Sequence, residues 1–130
     1  MRTLMLVLTL CFAIPATASA QSLARGKYIV ERTSMCHDCH TPRDETGKLL
    51  MDKSLQGAPI GSKPIHPMPW ADYAPPIDGI PPHFTPQQMV TFLQTGKRPD
   101  GSLPLPPMPP YRFSPEDAQS VMEYLRAMKH

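Results

Sequence analysis

The sequence predicts an all-α domain: three main helices joined by a long, proline-rich loop. Three observations carry that expectation. Apolar residues recur at helical spacing in three separate stretches, and two of these open on a hydroxyl residue followed directly by proline. No stretch alternates apolar and polar residues in the manner of a half-buried strand. Between residues 57 and 110 the chain holds 15 prolines and 5 glycines in 54 residues, which leaves room for only a short regular element there.

Residues 1–20 read as a secretory signal. Arg2 supplies the positive start, Leu4 to Ile14 form an apolar run, Pro15 breaks it, and Ala18-Ser19-Ala20 offers a small-residue cleavage site before Gln21. The run is eleven residues long, well short of the ~20 needed to span a bilayer. Bulky Leu10 before Cys11 argues against a lipoprotein site. The expectation is a leader removed on export to the periplasm and a single mature domain, residues 21–130, with no membrane span. That domain keeps only Cys36 and Cys39, so there is no disulfide framework. Its 12 Lys and Arg against 11 Asp and Glu give no footing for nucleic acid or a strongly charged partner.

Ser22 can cap a first helix running to about Ser34, with Leu23, Gly26, Ile29, Val30 and Thr33 on one face. Gly26, central in that face, predicts close approach by another helix. The helix leads into Cys36-His37-Asp38-Cys39-His40. Thr41-Pro42-Arg43 follows, and Asp44 to Lys48 reads as a solvated polar turn. The proline-rich stretch carries apolar residues such as Ile60, Ile65, Met68, Trp70, Ile77, Ile80 and Phe84, more than a linker does, and is expected to be an ordered wrap. One short helix interrupts it: Thr85 caps, Pro86 takes the first position, Gln88 completes a capping box, Met89, Val90, Phe92 and Leu93 form the apolar face, and Gly96 ends it. The last helix opens on Ser114 and Pro115, with Asp117 closing a second capping box. Ala118, Val121, Met122, Leu125 and Met128 form its apolar stripe, and Tyr124 flanks it where an aromatic could pack on Gly26.

Cys-x-x-Cys-His is the attachment signature of c-type haem. On one helical turn residues i and i+3 point the same way, so both thiols reach one edge of a porphyrin and His40 is placed to offer a ring nitrogen to iron. Two other readings compete. A thioredoxin-type thiol pair needs a βαβ surround, which the pattern lacks. A structural zinc site needs further ligands, yet His66 and His83 stand alone and no third cysteine remains. One covalent haem with His40 as proximal ligand is therefore expected, with His37 a surface residue on another side of the turn. For the sixth position, Met35 is too close to Cys36 to reach the opposite face, and Met89, Met122 and Met128 lie in helical stripes. Met68 and Met108 each sit between two prolines, which hold a thioether extended. Met108, just before the last helix, is favoured over Met68; a histidine (His66, His83 or His130) or an open position completes the alternatives.

With Arg25-Gly26-Lys27-Tyr28, the haem motif and Thr41-Pro42, Thr95-Gly96-Lys97 to Asp100-Gly101, Pro107-Met108-Pro109 and Glu123-Tyr124-Leu125 in view, the chain resembles small monohaem c-type cytochromes of bacteria. The likeness covers roughly residues 23–43 and 84–128. It is also similar to cytochrome subunits that draw electrons from periplasmic dehydrogenases. The resemblance implies a cytochrome c-like fold, its terminal helices crossing, and iron held by His40 and Met108. It implies a non-enzymatic carrier of single electrons between a dehydrogenase and an oxidase or another cytochrome. A haem enzyme or gas sensor with an open or bis-histidine iron is the alternative. Residues 52 to 83 depart from the family pattern, and Trp70 and Tyr73 there could either bond a haem propionate or simply pack.

Overall fold

A computed structural model describes residues 16–128. The apolar run of the expected leader, Cys11 and His130 lie outside the described residues. The described chain is mainly helical. Helix α1 spans Ala16–Tyr28 and continues as a π-helical turn, Ile29–Thr33. A single turn, α2, covers His37–His40, and α3 (Pro86–Thr95) and α4 (Pro115–Ala127) follow. Two two-residue strands, β1 (Ala58–Pro59) and β2 (Tyr73–Ala74), pair antiparallel with Ala58 opposite Ala74. They are too short to show alternation in sequence.

Helix α1 starts earlier than Ser22. The Ser22 hydroxyl caps nothing; it donates to Glu123 Oε2 at 2.7 Å and lies 3.2 Å from Ser120 Oγ, joining α1 to α4. Gly26 makes the close approach predicted for it. A Cβ at this position would lie 2.0 Å from the Ser120 carbonyl oxygen and 2.8 Å from Tyr124 Cβ. Around this crossing, Arg25 grips Asp117 through two bonds of 2.8 and 3.0 Å, and the Tyr124 hydroxyl donates to Glu31 at 2.8 Å. Burial and the Glu31 carboxylate raise the Tyr124 phenol above its ordinary value.

The later helices start as their sequences indicate. Thr85 and Gln88 form the reciprocal capping box, and Gly96 closes α3 in the left-handed conformation at φ +70°. Met89, Val90, Phe92 and Leu93 are all buried. Ser114 accepts from the Asp117 amide, but the second capping box does not close, because the Asp117 carboxylate is committed to Arg25 instead. Ala118, Val121, Met122 and Leu125 join Ile29, Val30 and the α3 residues in one core.

The proline-rich wrap is tied down at intervals. Ile60 donates to the Asp72 carbonyl, Ala71 to Pro106, Arg98 to Ser102 and Phe113 to Leu93, all at 2.8–3.1 Å. No helix among the described residues is long and apolar enough to cross a membrane.

Candidate functional site

The π-turn sets up the motif. Thr33 Oγ1 bonds the Ile29 carbonyl at 3.1 Å, and the backbone widens so that Ser34 reaches Ile29 and Cys36 reaches Val30. Such bulges recur at functional sites. Met35 then turns the chain at φ +48°, a conformation rare for a side-chain-bearing residue, and Cys36 opens α2. The His40 amide bonds the Cys36 carbonyl at 2.9 Å, so both cysteines lie on one turn, half-buried and free. Burial pushes the Cys36 thiol up to about 11. A thiol held neutral at physiological pH is a poor nucleophile, opposite to the tuning of a redox cysteine.

His40 is 6% exposed. Its Nδ1 lies 2.7 Å from the carbonyl oxygen of Pro75, the one hydrogen bond of this ring among the described residues. A carbonyl only accepts, so Nδ1 carries the proton and Nε2 keeps its lone pair. This is the arrangement in which a backbone carbonyl fixes the tautomer of a ligating histidine. Burial holds the ring's pKa below its ordinary value, partly countered by Pro75, so the ring is neutral as a ligand requires.

His37 corrects the expectation of a surface residue. It is 6% exposed, with Nδ1 3.0 Å from Thr41 Oγ1 and 3.3 Å from Ser54 Oγ, and its Nε2 has no partner among the described residues. Ser54 reaches this side of α2 through His37, and Gly57 bonds the His40 carbonyl.

The sixth-ligand candidates fall in different settings. Met108 is half-buried and packs against the core cluster, as do Cys36, Ile77, Ile80, Phe84 and Phe113. Met68 is 50% exposed and outside that cluster, and His66 and His83 are exposed, the latter's ring 4.8 Å from Phe84. Met89 and Met122 are core residues, as their stripes indicate. Trp70 spends its N–H on the Ser62 carbonyl at 3.0 Å, and Tyr73 is 53% exposed.

Four contributors escape the sequence reading. Pro75 supplies its carbonyl. Leu55 is fully buried at φ +59°, accepting the amides of Ile77 and Asp78 on its carbonyl. Gly57, at φ +84°, donates to the His40 carbonyl at 2.8 Å, and a Cβ there would meet the Tyr73 hydroxyl, Ala74 and Pro76 within 3 Å. Tyr111 donates to the Ser34 carbonyl at 2.9 Å and stacks on Phe113; burial raises its phenol to about 12, and Cys36 adds to the effect. Only Gly57 carried a visible signal, a glycine just after a Ser-Leu-Gln step.

Among the described residues no three His, Cys, Asp or Glu side chains converge as a metal-holding group, so the motif presents no tetrahedral zinc donor set. A groove beside Cys39 is lined by Asp38, Thr41, Arg43, Asp44, β1 and Ile60. Met108, Cys36, Ile77, Ile80, Phe84 and Phe113 are partly buried side chains packed on one apolar cluster. Two thiols on one turn, an imidazole with Nε2 bare and a thioether beside Cys36's own core cluster fit a covalent haem. No protein-family model matches the chain, and no curated protein matches it.

Proposed function

We propose that this chain is a periplasmic electron-transfer protein carrying one covalently attached haem c. Cys36 and Cys39 would hold the haem through two thioether bonds, and His40 Nε2 and the Met108 thioether would be the ligands to its iron. The observation that carries the reading is the 2.7 Å contact between His40 Nδ1 and the Pro75 carbonyl, beside two free thiols on the same turn. That contact serves a ring whose other nitrogen is a ligand.

A bound haem would supply the one-electron chemistry; the chain supplies binding, orientation and exclusion of water. Pro75 orients His40 and raises its basicity. Ile77, Ile80, Phe84 and Phe113, packed with Cys36 and Met108 on the same core cluster, would offer apolar surface to the haem. A methionine thioether raises the potential and closes the iron to outside ligands, which suits a carrier better than an oxygen-activating enzyme. The partner is a second redox protein, a dehydrogenase, an oxidase or another cytochrome, meeting the carrier through a small transient interface.

Intact mass of the exported protein tests the reading. The expected result is a chain beginning at Gln21 with one haem that survives denaturation. A mass showing two free thiols would overturn it.

A further inference from the structure

We propose that His37 is a positioning residue for His40. With Thr41 and Ser54 it forms a buried clasp that holds Leu55, and through Leu55 it sets how firmly the Pro75 carbonyl grips the His40 ring. The inference rests on the proposed function, in which His40 is an iron ligand.

The circuit closes through direct contacts. His37 Nδ1 lies 3.0 Å from Thr41 Oγ1, which accepts the Leu55 amide at 2.9 Å. The Leu55 carbonyl accepts the Ile77 amide at 2.8 Å and the Asp78 amide at 3.2 Å. Ile77 stands two residues from Pro75, whose carbonyl takes the His40 Nδ1 proton at 2.7 Å. A second branch returns through Gly57, which donates to the His40 carbonyl. Every side chain in the clasp is buried: Thr41 is 1% exposed, Ser54 8%, Leu55 0%.

The geometry of Leu55 needs an external hold. A γ-branched side chain at φ +59° is strained, and such a conformation persists only where its surroundings enforce it. The Thr41 hydroxyl is the group that fixes the Leu55 amide, and His37 fixes that hydroxyl.

Counting donors assigns the direction of each bond. Thr41 Oγ1 accepts from Leu55 and has one proton to give. If His37 Nδ1 carried a proton, both that hydroxyl proton and the Nε2 lone pair would be buried without partners. If Thr41 donates to a bare Nδ1, which Ser54 also faces, the Thr41 hydroxyl proton is used and fewer buried groups go unpaired. His37 therefore acts as an acceptor at Nδ1, and nothing in the clasp uses Nε2.

This assignment gives an atom-specific test on the exported, haem-loaded protein. Asparagine places an acceptor oxygen near the position of Nδ1 and has nothing at Nε2; phenylalanine fills the space with no acceptor. A weaker Pro75 grip makes the His40 ring less basic and favours the ferrous state. His37→Phe is expected to shift the ferrous-to-ferric ratio about tenfold, a rise of ~59 mV in midpoint potential for one electron. His37→Asn is expected to stay within about twofold of the wild type, ~18 mV. Thr41→Val should reproduce the His37→Phe shift, and the double variant should add nothing to it.

An unchanged potential in His37→Phe, equal shifts in Phe and Asn, or an additive double variant would each overturn the proposal. A merely structural histidine would lower the urea midpoint in these variants without sorting their potentials by the acceptor. Should His37→Phe yield no folded protein, Thr41→Val against Thr41→Ser carries the comparison, and equal potentials there refute it. Amide exchange at Leu55 and Ile77 separates the clasp from the haem assignment. Protection lost in His37→Phe and kept in His37→Asn supports the clasp even if mass shows no haem, and equal protection refutes it.

Discussion

Gly26→Ala tests the packing that brings the two ends of the domain together. Alanine is the better helix former by about 1 kcal/mol, so on propensity alone the substitution would stabilise α1. The crossing reverses that sign. The new Cβ would stand 2.0 Å from the Ser120 carbonyl oxygen, 2.7 Å from its carbon and 2.8 Å from Tyr124 Cβ. Carbon–oxygen contacts settle near ~3.3 Å, so α1 and α4 must part locally by more than an ångström. Two of the three clashing atoms are backbone and cannot rotate away. The bonds that frame the crossing, Ser22 to Glu123 and Tyr124 to Glu31, would stretch with it. Overpacking costs ~1–3 kcal/mol, and a backbone clash falls at the upper end or above it. Net of the propensity gain, about 2 kcal/mol of stability is lost, on the order of 10 °C in Tm for a domain of this size. Urea unfolding followed by far-UV circular dichroism measures the loss. Gly61→Ala is the control, since a Cβ there meets nothing within 4 Å. A Gly26→Ala protein as stable as the wild type would refute the close approach of the helices.

Three further outcomes follow from the site and its seam. In the proposed haem-loaded protein, Met108→Ala should abolish the methionine-to-iron charge-transfer band of the ferric state and Met68→Ala should leave it intact; the opposite pattern would move the proposed sixth ligand to Met68. Gly57→Ala forces a side chain to φ +84° against Tyr73, Ala74 and Pro76, and should cost about 1–3 kcal/mol in urea unfolding, with the His40 site perturbed in the visible spectrum. The Asp117 and Glu123 carboxylates are held below their ordinary values of 3.8 and 4.5, Asp117 by the Arg25 hydrogen bond and Glu123 by those from Gln119 and Ser22. Depressed carboxylates add stability that is complete above those values and fades as pH falls through the lowered ones. The stability deficit of Asp117→Asn should therefore be full at pH 6 and shrink below about pH 3.8, read from urea midpoints across that range; a deficit independent of pH would refute the assignment.

The helices were legible because their signals are local. Thr85-Pro86 with Gln88, and Ser114-Pro115, state their own starts, and the α3 and α4 stripes are long enough to show a period. Gly26 was legible because a glycine inside an apolar stripe bares the backbone on the very face that must pack, which is useful where a second helix comes close. The start of α1 was not, since nothing within the chain from Ala16 to Ser22 distinguishes a helix interior from a capped beginning until α4 supplies Glu123 as a partner for Ser22. His37 was misread for a similar reason. Helix α2 is one turn long, too short for any periodicity to say which side faces inward. The His37 partner from outside the turn, Ser54, lies seventeen positions on in a stretch that shows no regular pattern. The second capping box failed because Asp117 had a better partner ninety-two positions away in Arg25, a competition no local rule sees.

The proline-rich wrap looked in sequence like the part of the chain least able to hold a structure, since proline contributes no amide donor. The hydrogen bonds show what it contributes instead. The Phe84 amide bonds the carbonyl of Pro81 and the Ala71 amide that of Pro106, at 2.9 and 2.8 Å. Prolines serve as acceptors for the tethers that fasten the loop. Pro75 belongs to the same set. It follows β2 directly, and a Pro-Pro pair cannot donate to a strand ladder, so the pairing stops after two residues. The Pro75 carbonyl is thereby left free of the ladder, and the His40 ring takes it. The residue type that ends the sheet is thus the one that orients the proposed iron ligand. Composition that argues for disorder by its missing donors supplies, by its remaining carbonyls, the contact on which the functional reading depends.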